Sequence, residues 1–429
     1  MRGAIVGWFL LALLGNTAVA DDWPQWLGPD RNGEWNERRI VRKFPRKGLP
    51  QEWSVPVSGG YSGVAVADEY AYVTDRVTEP EQKERLHCID VNTGTKLWTF
   101  DYKCAYENIS YTAGPRATPL VNDSEVYTLG SMGNLFCLDA ITGRKLWSRD
   151  LAKDYKIRMP VWGIAASPLL WKDNLILQIG GAKGACVIAL DKDSGEEVWR
   201  SLNDRASYSS PIIIDQAGRP TLLVCTADSV AALNPRNGEI RWRYPWAPRG
   251  ELMRVATPVV QGDRAFFTGF YDGSLMLRIK QDEFGYEVLW QRAGRSENDT
   301  DGLHSTISTP VFDGNYIYGV DSYGQLRCID AATGDRIWED QTAVPKARWA
   351  TIHFVKHGDR YFLFNERGEL IIARLSPEGF DEISRTKILS PTRQQLSRRD
   401  GVCWAFPAYA ERCIVARNDE EVVCVSLED

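Results

Sequence analysis

The chain has 429 residues, 44% hydrophobic and 25% charged, an ordinary globular composition that excludes a disordered chain. Its net charge of -6, from 51 basic and 57 acidic residues, leaves no basic excess for holding nucleic acid through its phosphates. Four histidines (His87, His304, His353 and His357) argue against a multi-histidine metal centre, and no metal site is expected.

From the N-terminus, residues 1–20 read as a signal peptide. Arg2 is the positive start, and residues 4–14 form an apolar run too short to span a bilayer. Ala18-Val19-Ala20 then gives a cleavage pattern before Asp21. No Cys follows the run, so no lipid anchor is expected, and no later stretch reaches transmembrane length. The expectation is a periplasmic or secreted protein processed near Ala20. Residues 21–50 then form an N-terminal extension, with the charged stretch 38–47 solvated.

From residue 51 one pattern recurs: a short apolar strand, Asp, two residues, Thr/Ser/Asn-Gly, and Trp four residues after the Gly. It ends at Trp98, Trp147, Trp199, Trp242 and Trp338. A copy with an extra residue after Gly285 ends at Trp290. A weak copy surrounds Gly379, where Leu375 stands for Asp and Ile383 for Trp. The alternating Val/Ile/Leu flanks read as strands. The Asp side chain caps backbone amides and the Gly supplies positive φ, so each copy is a tight hairpin. The Trp becomes an apolar plate on the second strand, available to a neighbouring unit.

A second marker precedes the copies: Thr118-Pro119, Ser167-Pro168, Ser210-Pro211, Thr257-Pro258 and Thr309-Pro310 each lead into a strand. Each unit therefore has four strands, two before the hairpin motif and two within it. Residues 392–397 are the only candidate short helix. Successive motif tryptophans lie 43 to 52 residues apart, the spacing of four-stranded propeller blades. Trp53, in QEWSVPV, reads as a fourth strand without its first three, and the C-terminus reads as three strands without a fourth. Joined, they close the ring and remove open sheet edges. The prediction is an all-β, eight-bladed propeller of four-stranded antiparallel blades over residues 51–429, its last blade closed by an N-terminal strand.

Cys88, Cys137, Cys328 and Cys424 share one motif position, filled by Ala189 and Ala232 in other copies, which reads as a small buried site on separate blades. Cys413 and Cys424 face one another across a possible hairpin turned at Asn418-Asp419, where a disulfide is one of two outcomes.

The stretch Cys88-Ile89-Asp90-Val91-Asn92-Thr93-Gly94-Thr95-Lys96-Leu97-Trp98 resembles the A-x-D-x-x-T-G-x-x-x-W repeat of the pyrroloquinoline-quinone (PQQ) propeller family, with Cys88 in place of Ala. The resemblance covers residues 51–429 and recurs blade by blade. It implies one of two roles. The family's enzymes are periplasmic alcohol and sugar dehydrogenases that use PQQ with calcium. Several carry vicinal cysteines, and some carry a C-x-x-C-H haem site; this chain has neither. The better comparison is the non-catalytic, BamB-like branch, for which no cofactor is expected. Residues 23–33, WPQWLGPDRNG, look like the opening of exported PQQ-like propeller proteins of planctomycete-type bacteria.

Loops leading into the innermost strands rim one mouth of a propeller channel. Here they carry Tyr61, Arg116, Trp162, Tyr208, Arg254, His304, Arg348, Trp349 and Trp404. Among these, Arg116, Trp162, Arg254, His304, Arg348 and Trp404 are the candidate ligand-binding residues, suited to a planar or anionic ligand. Glu297, Asp299 and Asp301 alternate before Gly302 like the start of a calcium loop, but Ser308 stands where a closing acid belongs, so a solvated acidic loop is expected. No nucleophile constellation or phosphate loop appears, and no catalytic residue is assigned. His304 with Asp301 nearby invites an acid–base reading, against that of a plain loop histidine, and in the dehydrogenase alternative a carboxylate such as Asp301 would act as base on the substrate alcohol. The leading expectation is a monomeric, non-catalytic binding or scaffold propeller that takes a protein or small ligand at its top face. The alternatives are a PQQ/calcium dehydrogenase and a carbohydrate-binding propeller.

Overall fold

The computed structural model describes residues 22–429. The proposed signal peptide therefore lies outside the described residues. Eight four-stranded antiparallel sheets form the ring, numbered here as blades 1 to 8. Blade 1 consists of strands Ala65–Ala67, Tyr70–Val77, Lys83–Asp90 and Lys96–Lys103, in that order from channel to rim. Blades 2 to 7 repeat this order over residues 120–150, 169–201, 212–245, 259–292, 311–340 and 352–387. Blade 8 takes Ala408–Ala410, Cys413–Arg417 and Glu421–Ser426 from the C-terminal part and Gln51–Pro56 as its outermost strand. Trp53 pairs with Cys424 there, as the split-blade reading requires. Innermost strands of neighbouring blades touch, and outermost strands alternate exposed and covered residues. The only helix among the described residues is Leu151–Tyr155. Residues 392–397 form bends instead, pinned by Asp419, whose carboxylate takes the Thr392 hydroxyl at 2.7 Å and the Gln394 and Gln395 amides.

The repeat motif is a blade-to-blade latch. Within each turn the Asp caps the loop: Asp90 Oδ1 accepts the Thr93 amide at 2.8 Å, Asp139 the Thr142 amide and Asp191 the Ser194 amide. The turn glycine is left-handed, at φ 70° for Gly94 and 69° for Gly143. The Trp of the preceding blade lies flat on that glycine. A Cβ at Gly143 would sit 2.6 Å from Trp98, and one at Gly94 would sit 2.7 Å from Trp53. The same indole donates Nε1–H to the carbonyl just after the capping position. Trp53 reaches Val91 O at 2.5 Å, Trp98 reaches Ala140 O at 3.0 Å and Trp147 reaches Lys192 O at 2.9 Å. Trp199 reaches Pro235 O and Trp290 reaches Ala331 O in the same way.

Blade 4 departs from the pattern because the blade 5 turn is longer. Trp242 donates to Gln216 Oε1, and Gln216 Nε2 reaches on to Gly285 O at 2.8 Å. Blade 7 departs further. Ile372, at the buried motif position, faces Ser384 across the sheet, and Ile383 is the bulged residue. Ser384 rather than Ile383 therefore occupies the Trp position, and Arg374 rather than Leu375 the Asp position, because the turn there is two residues longer. Ser384 Oγ takes the Phe44 amide at 3.0 Å, so the N-terminal extension fills the place of the missing indole.

The shared cysteine position faces the latch tryptophan: Cys88 pairs with Trp98, Cys137 with Trp147 and Cys328 with Trp338. All are buried, and burial pushes these three thiols up to about 12, which leaves them inert. Cys413 and Cys424 lie on adjacent strands two residues out of register, opposite Ser426 and Val415, and both are free thiols.

The Ser/Thr-Pro marker forms a belt around the channel. A proline lacks an N–H, and the hydroxyl before it supplies a link between blades. Thr118 Oγ1 accepts from the Gly63 amide, Ser167 Oγ from the Thr118 amide and Ser210 Oγ from the Ser167 amide, at 3.2, 3.0 and 2.9 Å. Thr309 Oγ1 accepts from the Thr257 amide at 3.1 Å. The Thr257 hydroxyl instead takes the indole N–H of Trp26, at 2.8 Å.

Trp26 belongs to the extension, which crosses the end of the channel opposite the rim loops. The Trp23 amide bonds Val66 O in blade 1, and Pro24 O takes the Val121 amide in blade 2. Arg31 donates to Pro168 O in blade 3 at 2.7 Å, Trp35 bonds Lys356 O in blade 7, and Val41 bonds Leu427 O past blade 8. Trp23, Trp35, Ile40, Val41 and Phe44 are buried in one cluster with blades 7, 8 and 1, while Arg38, Arg39, Arg42 and Lys43 are exposed. The charged stretch is thus solvated on one side only.

The latch makes a quantitative claim. Gly314→Ala, at a left-handed turn glycine with open space around it, should cost about 1 kcal/mol. Gly143→Ala should cost about 3 kcal/mol, because overpacking against Trp98 adds to the backbone term. In a Trp98→Ala background the excess at Gly143 should disappear; urea unfolding of the four variants reads this coupling.

Candidate functional site

With one end of the channel crossed by the extension, the other end opens as a cup. Its cavity measures about 130 Å3, and about 910 Å3 when all empty space out to open solvent is counted. Trp26 and Phe406 form its floor, 5.2 Å apart between ring centres. Tyr61, Tyr111, Trp162, Tyr208, Trp349 and Trp404 line its wall. Trp162 and Tyr208 lie nearly parallel, 4.8 Å apart at 30°. Tyr111 meets Trp162 edge-on at 88° and Trp349 at 70°. Such edge-to-face contacts fix ring positions while leaving ring faces for a ligand.

The rim-loop residues read from sequence separate into two groups. Tyr61, Arg116, Trp162, Tyr208, Trp349 and Trp404 converge on the cup. Arg254, His304 and Arg348 do not line it. Arg254 is fully buried, its Nε on Asp272 at 2.7 Å and its Nη1 on Trp246 O at 2.7 Å and Ala227 O at 3.1 Å. It knits blade 4 to blade 5. His304 is buried with both ring nitrogens used: Nδ1–H donates to Phe270 O at 2.8 Å, and Nε2 accepts the Gly294 amide at 3.2 Å. Asp301 is turned away from it toward Arg292, at 3.4 Å, so the two form no acid–base pair. Arg348 stays near the mouth, clamped by Glu297 at 2.6 Å through both Nε and Nη2, with its guanidinium 4.5 Å over Trp349. The acidic loop diverges: Glu297 faces Arg348, Asp299 faces Arg295 and Asp301 faces Arg292.

Two wall residues carry or could carry positive charge. Arg116 spends both Nη atoms on the protein: Gly114 O at 2.8 Å and Ser131 Oγ at 2.9 Å, then Ser110 O at 2.9 Å and Tyr111 O at 2.6 Å. Its plane stands 5.1 Å over the Tyr61 ring. His353 donates Nε2–H to Trp404 O at 2.9 Å, and burial lowers it to about 4, so it is neutral near pH 7. Burial also raises the Tyr61 and Tyr208 phenols, which stay protonated. The cup is therefore aromatic, ringed with hydroxyls and free of net negative charge.

Sequence reasoning missed Trp26, Tyr111, His353 and Phe406. Trp26 sits in the WPQWLGPDRNG stretch, which carries no repeat signal; its only clue was a pair of tryptophans in a polar segment.

The ring of latched blades defines the class: this is a PQQ-repeat β-propeller. The family model described as outer membrane protein assembly factor BamB matches residues 82–340, and the chain belongs to that family. The BamB of Burkholderia pseudomallei (strain K96243) is 27% identical over 195 residues, 43% of this chain and 49% of that protein. The chain thus spans about half the length of the curated relatives it matches. Among solved structures, BamB from Moraxella catarrhalis superposes with a TM-score of 0.59 at 17% identity, over 88% of this chain and 97% of that one. A europium-containing methanol dehydrogenase superposes with 0.65 at 13% identity, over 94% and 89%. At these identities the structural likeness is one of fold.

The buried histidine sets a pH dependence. A group whose folded pKa is depressed to about 4 from 6.5 contributes stability above the unfolded value and loses it as pH falls toward 4. Over that window His353 should account for about 3 kcal/mol. His353→Gln should flatten the loss between pH 6.5 and 4, read as the pH dependence of the urea midpoint against the parent.

Proposed function

We propose that this protein is an exported, non-catalytic binding module of the BamB type, presenting the open face of its ring and the aromatic cup to a partner or ligand. One observation carries the reading: Arg116, Arg348 and Glu366 around the cup are committed to the protein itself, and what remains available is largely aromatic surface. Arg116 is held by four acceptors and Arg348 by Glu297. Glu366, beneath Trp404, is held by Arg399 at 2.7 Å and by the Trp404 indole at 3.1 Å. None of these stands free to move a proton at a substrate.

The dehydrogenase alternative asks for a wall that holds a tricarboxylate quinone and a calcium ion. Calcium takes six to eight oxygens, mostly from carboxylates and carbonyls. Among the described residues the wall carries no carboxylate or carboxamide side chain, and its one arginine has both Nη atoms occupied. This donor set does not fit the pair. Among the described residues no helix is long and apolar enough to cross a membrane. Export, the monomeric state and a protein partner at the top face are parts of the same proposal.

The reading predicts that the mature chain, mixed with PQQ and calcium and offered alcohols and sugars, gives no dye reduction above a no-enzyme control. Turnover that depends on both PQQ and the protein would refute it.

A further inference from the structure

We infer that the cup is a binding site for an uncharged, hydroxyl-bearing ring: a neutral sugar, free or at the end of a glycan. The inference rests on the binding-module reading above and gives that site its ligand class.

Three features of the wall select this chemistry. The first is shape and surface. Trp162, Tyr208, Trp349 and Trp404 stand around a cavity floored by Trp26 and Phe406. Aromatic faces pack against the C–H face of a saturated ring and bury it without needing charge.

The second is charge. Aromatic faces alone can hold a cation, and the wall adds no carboxylate to strengthen that hold. Two guanidiniums also flank Trp349, Arg348 at 4.5 Å and Arg398 at 4.4 Å, and these repel a cation at the mouth. An anion would want free N–H groups deep in the cup. Both Arg116 Nη atoms already face protein oxygens. An anion deep in the cup would therefore lose hydration without gaining a partner, and a cation would meet repulsion from the guanidiniums at the mouth.

The third is the supply of neutral hydrogen-bonding groups. Ser167 and Ser210 each accept a backbone amide in the belt and, among the described residues, have no acceptor for their own hydroxyl protons. The Tyr208 hydroxyl accepts the Trp162 amide at 3.3 Å, and the Tyr111 hydroxyl accepts from Arg398 at 3.1 Å, again leaving O–H groups to give. Thr306 Oγ1, the Trp349 indole N–H and His353 Nδ1 belong to wall residues but are themselves buried behind the cavity surface, with no partner among the described residues. A wall that offers several hydroxyl groups wants a ligand that takes hydrogen bonds from them and gives hydrogen bonds back to their oxygens. A sugar hydroxyl does both; a carboxylate or a quaternary ammonium does not.

Trp26 is then a specificity residue supplied by the extension. It sets cup depth, and its place is fixed by the Thr257 hydroxyl.

The test is a fluorescence and calorimetric titration of the mature chain with four kinds of probe. These are methyl glycosides of glucose, galactose and mannose; neutral tetrasaccharides of the same sugars; glucuronate; and choline. The expected result is saturable binding of at least one neutral probe, insensitive to salt, with glucuronate and choline at least tenfold weaker. Binding by methyl glycosides points to a free sugar, and binding by tetrasaccharides alone points to a glycan end. Trp162→Ala should weaken that binding about tenfold, or ~1.4 kcal/mol, while Trp162→Phe keeps most of it. Trp26→Phe keeps the fold of the floor but loses the Thr257 bond, and should change the preference between monosaccharide and tetrasaccharide. Tighter binding of either charged probe, or no binding of any neutral probe by folded protein, would overturn the inference. A PQQ arm in the same experiment separates the two readings: PQQ-dependent turnover defeats the non-catalytic proposal, whereas failure of the sugars without turnover defeats this one alone.

Discussion

Five of the eight blades are held to the next by an indole lying flat on a glycine that has no room for a side chain. The contact needs three things at once: positive φ at the glycine, a capped turn that presents a carbonyl, and a tryptophan on the rim strand of the blade before. Because the latch joins neighbours, its geometry propagates around the ring and fixes the relative tilt of the sheets. Closure then follows from Trp53, which latches blade 8 to blade 1 through Gly94 and so ties an N-terminal strand to the first complete blade. Where the repeat decays, the structure repairs it with whatever lies nearby: Gln216 as a relay at blade 4, and Phe44 of the extension over Ser384 at blade 7.

The same economy makes the site. The belt of pre-proline hydroxyls passes a hydrogen bond from blade to blade around the channel wall, and Trp26 enters the belt at Thr257. A propeller channel is open at both ends by construction. Here the extension crosses one end and converts the channel into a cup with an aromatic floor. The guanidiniums and carboxylates around the mouth hold the rim loops in place, as Glu297 does for Arg348 and Asp272 does for Arg254. The charged groups thus shape the cup, while the aromatic and hydroxyl groups are left to meet a ligand.

Much of the fold was legible because it repeats. The spacing of Trp98, Trp147, Trp199, Trp242, Trp290 and Trp338 carries the blade count, and Trp53 with the three C-terminal strands carries the closure. The error at Ile383 has a local cause: a two-residue longer turn at Gly379 shifts the register, and sequence spacing alone cannot see a bulge. The site was half legible. Topology alone brings Arg116, Trp162 and Trp404 to the mouth. It does not say which rim residues turn inward, and that depends on distant partners. Arg254 turns away because Asp272 lies in the next blade, and His304 because Phe270 O and Gly294 N are both in reach. The extension was read as an appendage because it has no period; its role comes from single contacts with six blades, at Val66, Val121, Pro168, Thr257, Lys356 and beyond blade 8 at Leu427.

The cup depends on that extension closing one end of the channel. Amide hydrogen exchange followed by mass spectrometry tests it directly. The Trp23, Trp35 and Val41 amides, bonded to Val66 O, Lys356 O and Leu427 O, should exchange as slowly as the inner strands that they bridge. Exchange across residues 22–44 at the rate of an unstructured peptide would contradict the account, since the channel would then run through and the cup would have no floor.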